Sequence, residues 1–311
     1  MSNEFGRRVL VTGAAGFLGR HVARHFAMRG FDVTGLGHGE LSASDAAAWG
    51  MRRWQRTDID RDGLAAHAGQ PDIVVHCAGA GAVGSSFQDP FADFQRTVAT
   101  TAAVLEFIRL RAPAARLVYP SSAAVYGIAE RIPIAEGDRL MPVSPYGTHK
   151  LVAETLCGSY ARHFGVHVAI VRFFSIYGPH LRKQLLWDAC NKLGAGQTSF
   201  AGSGAEIRDW LHVDDAVRLL QIAAQQASPA CPIANGATGT SVAIRDILGA
   251  LAATLASGIS IAFSGTSRSG DPQAYVADMS VAQRWGFEPS IHWRAGVQSY
   301  VDWYCSQHPA S

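Results

Sequence analysis

Apolar and polar positions follow two periods in the first half of the chain. Short, largely apolar runs at Arg8-Val9-Leu10-Val11-Thr12, Phe31-Asp32-Val33-Thr34-Gly35-Leu36, Asp72-Ile73-Val74-Val75-His76-Cys77, Arg116-Leu117-Val118-Tyr119 and Val168-Ala169-Ile170-Val171 read as buried strands. Segments with helical spacing lie at His21 to Met28, from about Phe91 to Arg111 and from about Pro145 to Phe164. Strands alternating with helices predict an α/β fold, a doubly wound parallel (Rossmann) sheet, over residues 1–171. After that the texture changes: Gly194 to Gly204 is loop-rich, while Asp214 to Ala227 and Ser241 to Leu255 have helical spacing. A smaller, interleaved α+β lobe is expected over residues 172–311, with about 208–235 returning to the first domain and Ser306 to Ser311 fraying.

Composition narrows the classes. With 48% hydrophobic and 17% charged residues, 311 residues suffice for a large core. Twenty-seven basic residues against 25 acidic ones leave a net charge of +2, which names no nucleic-acid partner. No uncharged apolar run approaches the roughly 20 residues of a membrane helix, and a strand-like segment follows the first residues at once, so no signal peptide and a cytoplasmic location are expected. The cysteines, Cys77, Cys157, Cys190, Cys231 and Cys305, are scattered and form no CxxC, so neither a disulfide framework nor a metal site is expected.

Gly13-x-x-Gly16-x-x-Gly19 follows the first strand directly. Glycine at each third residue lets the chain turn tightly, lets backbone approach a pyrophosphate, and opens a helix whose N-terminal N–H groups hold the anion. Gly13, Gly16, Phe17, Leu18 and Gly19 are the expected contacts of a dinucleotide. Where the second strand ends, an acid normally receives the ribose hydroxyls of NAD; here the chain reads Gly37-His38-Gly39. Neutral Gly37 and weakly basic His38 admit a 2′-phosphate, so the cofactor is NAD or NADP, unless Gly37 merely turns the chain. Asp58 is a candidate acceptor for the adenine amino group or simple surface acidity. Ile59, Ala78 and Gly79 complete the expected cofactor set.

In Ser144-Pro145-Tyr146-Gly147-Thr148-His149-Lys150, proline marks a helix start and Tyr146 and Lys150 share a face. A phenol with a pKa of about 10 is a poor base at neutral pH; an ammonium one turn away, together with a cationic nicotinamide, favours the phenolate. Ser122 ends a parallel strand at its carboxyl edge, where ligands bind in open α/β sheets, placed to hydrogen-bond a sugar hydroxyl that Tyr146 deprotonates.

With these residues in place the chain resembles the extended short-chain dehydrogenase/reductase family, in particular its nucleotide-sugar epimerase/dehydratase branch. The resemblance runs through TGAAGFLG (12–19), SSAAVYG (121–127), YGTHK (146–150), RFFSIYGP (172–179), RDWLHVDDA (208–216) and RSGDP (268–272). It implies Ser122, Tyr146 and Lys150 as catalytic triad, the glycines and Asp58 on the dinucleotide, and Arg208 and Arg268 on the substrate's diphosphate, a task suited to guanidinium forks. It also implies a homodimer through the helices at about 91–111 and 145–164. Departures from the family pattern alter the substrate contacts. Ser175 and Thr97 replace asparagines, the loop from Cys77 to Ser86 is glycine-rich, and Ala123-Ala124 replace the Asp-Glu pair of 4,6-dehydratases, which disfavours water elimination.

The resulting expectation is a nucleotide-sugar 4-epimerase working by transient oxidation at C4 with bound NAD(P). The alternative is an NADPH-dependent nucleotide-sugar 4-ketoreductase, favoured by the missing acid at Gly37; a non-catalytic sensor would not need Ser122, Tyr146 and Lys150 together. Ser85 or Ser86 is expected to reach the sugar, and Phe200 either stacks on the base or fills the core. Ser175 and the lean loops suggest a 6-deoxyhexose on deoxythymidine or uridine diphosphate.

Overall fold

The computed structural model describes residues 7–255, 258, 260–265 and 274–308. Its strands are β1 (Arg8–Thr12), β2 (Asp32–Gly37), β3 (Arg53–Arg56), β4 (Ile73–His76), β5 (Arg116–Ser122), β6 (His167–Phe173), β7 (Ser175–Tyr177), β8 (Ser199–Phe200), β9 (Ile207–Arg208), β10 (Trp210–His212), β11 (Ile233–Gly236), β12 (Val242–Ala243), β13 (Ala262–Phe263) and β14 (Ala274–Tyr275). Its helices are α1 (Phe17–Ala27), α2 (Ala43–Ala48), α3 (Arg61–His67), α4 (Val83–Gln88), α5 (Pro90–Phe94), α6 (Thr100–Arg111), α7 (Pro145–Phe164), α8 (Gln184–Gly194), α9 (Val213–Gln226), α10 (Ile244–Leu255), α11 (Ser280–Arg284) and α12 (Trp293–Gln307). No helix among the described residues is long and apolar enough to cross a membrane.

Seven parallel strands form the main sheet in the order β11-β6-β5-β4-β1-β2-β3. Successive residues of a strand point to opposite faces, and β1 shows the consequence: Val9 and Val11 join one core, Leu10 the other. On the first face pack α1, through Val22, Ala23 and Phe26, and α9, through Val217, Leu220 and Ala224. On the second pack α6, through Val104, Leu105 and Ile108, and α7, whose Ala153, Cys157 and Ala161 recur every fourth residue. Strand β11 brings residues 233–236 back to the edge of this sheet beside β6.

The second lobe is built from short ladders, β10 with β7, β12 with β9 and β14, and β13 with β8. They pack with α8, α10 and α12 around a separate core of Leu186, Leu248, Leu251, Val297 and Tyr300. The stretch expected to fray starts out helical. Ser306 and Gln307 belong to α12, and the next residue, His308, stacks on Tyr304 with ring centroids 4.5 Å apart. Residues 309–311 lie outside the described residues.

Helix α7 begins where its local sequence directs. The Ser144 hydroxyl accepts from Gly147 N–H at 3.1 Å, Pro145 occupies the first turn, and Gly165 ends the helix in the left-handed conformation at φ +68°. The helix expected from Phe91 to Arg111 is three joined segments, α5, a π-helical turn at Gln95–Ala99 and α6. In that turn the Thr97 hydroxyl accepts from Ala80 N–H at 3.3 Å, while its carbonyl accepts from the Thr101 hydroxyl at 2.6 Å.

One buried ion pair ties α7 to the sheet. Arg172 on β6 donates to Glu154 on α7 at 2.7 Å, and the same carboxylate accepts from the Ser121 hydroxyl at 2.5 Å. Arg172 also donates to the Tyr126 hydroxyl at 3.1 Å and the Glu136 carbonyl at 2.9 Å, and Tyr126 donates onward to Asn235 on β11 at 2.7 Å. Removing one partner leaves a buried charge alone. Glu154→Ala is therefore expected to cost about 3–5 kcal/mol of unfolding free energy in denaturant titration, and Glu154→Met with Arg172→Met to recover most of it. A single-variant loss below about 1 kcal/mol would show that the pair contributes little.

Candidate active site

Strand order reverses between β1 and β4, and the loops at their carboxyl ends diverge there to open a cleft of about 1040 Å³. One wall is the turn after β1. Gly13 stands at φ +67°, and a Cβ on it would lie 2.6 Å from the Ala78 nitrogen; a Cβ on Gly19 would lie 2.2 Å from the Gly13 carbonyl. Only glycine lets these backbones close up. Helix α1 starts at Gly16, with no side-chain cap and no acid in its first turn, so its N–H groups and positive dipole end serve the cleft. This cradle fits the paired phosphates of a dinucleotide.

At the far end of that turn, two residues singled out separately in the sequence meet. His38 Nε2 lies 2.7 Å from Asp58 Oδ1, both side chains exposed. The imidazole is thus engaged by a carboxylate, which counters the weak positive charge expected to welcome a 2′-phosphate. Gly37, at φ +157°, lets β2 pass the phosphate turn: its added Cβ would lie 3.3 Å from the Gly13 Cα. Ile59 is buried, and Ala78 N–H donates to the Thr12 hydroxyl at 3.3 Å.

Ser122, Tyr146 and Lys150 line the same cleft. Lys150 is buried; its ammonium donates to the Pro120 carbonyl at 3.0 Å and lies 6.0 Å from the Tyr146 ring centre and 5.0 Å from that of Tyr119. Desolvation pulls its pKa down to about 8. Burial also raises the Tyr146 phenol above its ordinary value, opposed by a hydrogen bond from Ser122. From the spacing of Tyr146 and Lys150, an ammonium lowering that phenol was expected. In the chain by itself desolvation is the larger effect, and Ser122 supplies the counterweight.

Several supporting groups escaped the sequence reading. His76 is buried between the Thr12 hydroxyl at 2.6 Å and the Thr101 hydroxyl at 3.2 Å, and burial followed by the charge of Lys150 pushes its pKa down to about 3, so it is neutral. Ser86, named with Ser85 as a group to reach the sugar, has a role that was not foreseen: it accepts from the Tyr146 backbone N–H at 3.0 Å. Asp93 and His149 pair at 2.6 Å beside the same helical turn. The common signal was a polar residue inside an otherwise apolar strand or helix face.

The remaining predicted residues divide. Gly79, Ser175, Phe200 and Arg208 line the cleft, with Phe200 buried under Lys192, whose ammonium lies 5.4 Å from its ring centre. Arg208, on β9, donates to the Ile207 carbonyl at 2.9 Å. Ser85 does not reach the cleft: it is exposed and its hydroxyl turns back to the Ala82 carbonyl at 3.0 Å, as the start of α4 dictates. Arg268 lies outside the described residues.

The sequence profile of the NAD dependent epimerase/dehydratase family matches residues 9–233. The UDP-glucuronate 4-epimerase 4 of Arabidopsis thaliana is 26% identical over 99% of this chain and 77% of its own length. The dTDP-glucose 4,6-dehydratase of Streptomyces antibioticus is 30% identical over 95% of this chain and 92% of its own. The solved structure of MoeE5 in complex with UDP-glucuronic acid and NAD is 29% identical and superposes with a TM-score of 0.86, covering 96% of this chain and 99% of that one.

Because Lys150 holds its proton less tightly when folded (about 8) than when unfolded (near 10.5), the unfolded chain binds more protons between those values. The contribution of Lys150 to stability therefore rises as pH rises from about 8 to about 10.5. Buried thiols such as Cys77, pushed up to about 12, act in the opposite sense, so the readout is the difference between wild type and Lys150→Met. Denaturant titrations of the cofactor-free protein should show the variant's relative stability falling across that window; parallel curves would disprove the lowered pKa.

Proposed function

Because the chain belongs to the NAD dependent epimerase/dehydratase family, we propose that its cleft holds NAD and inverts C4 of a nucleotide sugar through Tyr146, Ser122 and Lys150. The observation that carries this is that phenol, hydroxyl and ammonium come together in the cleft that the glycine cradle also lines. Bound nicotinamide supplies the hydride acceptor and donor. Tyr146 takes the proton of the C4 hydroxyl and returns it once the 4-keto ring has presented its other face. Ser122 hydrogen-bonds the same oxygen and restrains the rise of the phenol's pKa. Lys150, anchored on the Pro120 carbonyl, holds positive charge next to the phenolate. Gly13, Gly16, Phe17, Leu18 and Gly19 take the cofactor phosphates, and Asp58, exposed and paired with His38, takes the adenine end. Arg208 takes the substrate's diphosphate and Phe200 flanks its base. Ala123 and Ala124, at the short turn after β5, offer no carboxyl to expel water, which favours epimerisation over dehydration.

We also infer a homodimer. Phe91 is 67% exposed and Phe94 40%, on α5, and Leu110 on α6 and Val152 and Phe164 on α7 are exposed as well, apolar side chains on these helices that a second copy would cover. We place the protein in the cytoplasm, where its five free cysteines persist as thiols.

Purified protein should retain its cofactor and interconvert two C4-epimeric nucleotide sugars without added NAD(P)H. Stoichiometric consumption of NADPH on a 4-keto nucleotide sugar would instead identify a ketoreductase. Tyr146→Phe is expected to lower turnover about 10²–10⁴-fold with unchanged thermal melting, and near-normal turnover would remove Tyr146 from its role. Light scattering should give twice 33.1 kDa for the wild type and one chain for Phe91→Asp; a wild-type monomer would refute the dimer.

A further inference from the structure

A carboxylate close to the reacting groups is buried with fewer partners than burial demands. Asp93 on α5 is 3% exposed; its Oδ2 accepts from His149 Nδ1–H at 2.6 Å, and its Oδ1 has no hydrogen-bond partner among the described residues. Glu154, equally buried, meets the Arg172 guanidinium and the Ser121 hydroxyl. A dry carboxylate oxygen left unpaired costs stability, so packing alone does not account for an acid at this position.

Its partner His149 sits on α7 three residues after Tyr146 and directly before Lys150; the imidazole is 14% exposed, with the Phe94 ring edge-on at 5.7 Å. Of the elements packed on this part of α7, α4 brings no titratable side chain, and Arg96 of the π-helical turn and Asp89 at the start of α5 are exposed. On α6, Glu106 is paired with Arg109, as Glu154 is with Arg172 of β6, and Tyr119 of β5 is held neutral by burial. Asp93 is thus the buried carboxylate on this face that no Lys or Arg pairs among the described residues. Its charge acts on both catalytic groups in one direction. Burial first and then the Asp93 charge raise the Tyr146 phenol, against the Ser122 hydrogen bond; burial lowers Lys150, and the Asp93 charge is among those that oppose it.

We propose that Asp93, held in place by His149, is a positioning residue whose buried negative charge sets the pH range in which Tyr146 and Lys150 carry the charges the reaction needs. The inference rests on the C4-epimerase reading, in which Tyr146 takes a proton from the sugar and later gives it back. A phenol ionised too readily returns its proton poorly, and a carboxylate beside it limits how far an ammonium and a bound nicotinamide lower it. The same carboxylate keeps the ammonium charged. The plainer role, docking α5 onto α7 through one hydrogen bond, would leave the ionisation of the phenol untouched.

The test reads the phenol directly, by NMR of NAD-loaded protein carrying carbon-13 at Cζ of its tyrosines, with the Tyr146 signal assigned by its loss in Tyr146→Phe. Asp93→Asn removes the charge, so the Tyr146 signal should titrate at lower pH: at the wild-type midpoint the ratio of phenolate to phenol should rise about threefold or more. His149→Lys keeps the carboxylate and sets an ammonium against it, and should move the midpoint the same way; it decides the matter if Asp93→Asn does not fold. In turnover of UDP-glucose or UDP-glucuronate, both the acid limb, where Tyr146 ionises, and the alkaline limb, where Lys150 loses its proton, should shift to lower pH. A wild-type midpoint in the folded variant, with only the height of the pH profile reduced, would make Asp93 a docking residue and overturn the proposal. A displaced midpoint without turnover of either nucleotide sugar supports the role of Asp93 and counts against the C4-epimerase reading; turnover with an undisplaced midpoint ends the role of Asp93 alone.

Discussion

Glu154 and Arg172 are the contact on which the site's geometry depends. The pair is buried, so its orientation is set by multiple hydrogen bonds rather than by solvent, and those bonds reach β5, β6, β11 and α7 at once. Glu154 lies one turn after Lys150 and two after Tyr146 on the same helix. Fixing that carboxylate against Ser121, next to Ser122, fixes how far the phenol and ammonium stand from the end of β5. A buried ion pair is a weak source of net stability, and its worth here is positional.

Desolvation organises the chemistry of the cleft. It presses on both members of the catalytic pair, discouraging the charged form of each: the ammonium is drawn down to about 8 and the phenol is raised. The same burial makes His76 a neutral strut and keeps Cys77 a thiol, so the groups behind Lys150 add no competing charge. The polar work is left to Ser122, to the Pro120 carbonyl and to whatever positive charge a bound dinucleotide brings.

Several motif residues serve the frame and not the reaction. Asp209, in RDWLHVDDA, is buried and accepts from the Thr238 N–H and hydroxyl, both at 2.7 Å, and from Gly239 N–H at 2.8 Å. Asp215 accepts from Ser290 and Ile291 N–H groups, both at 2.9 Å, and pairs with Arg218. Asp209 closes the loop after β11 beside the strands that carry Arg208 and Ser175, and Asp215, on α9, holds the loop that precedes α12. Buried acids of this kind must be satisfied by several donors, which explains their place in a motif without any contact to substrate.

Strand and helix period, the glycine triplet and the Tyr146–Lys150 spacing were legible in the sequence because each follows from local geometry: pleat, helical turn, and a φ that only glycine adopts freely. Pro145 marked the helix start in the same local way, and the structure adds the cap at Ser144 and the terminus at Gly165. The return of the chain to the main sheet at β11 was expected, but the pairing of His38 with Asp58, the service of Ser86 to Tyr146 and the approach of Lys183 to Gly81 were not legible. Each of these three joins residues with no periodic relation between them, and the partner depends on which loops the packed cores bring together. Composition and spacing name the groups able to react; only the folded cores decide the distances between them and how much water remains around their charges.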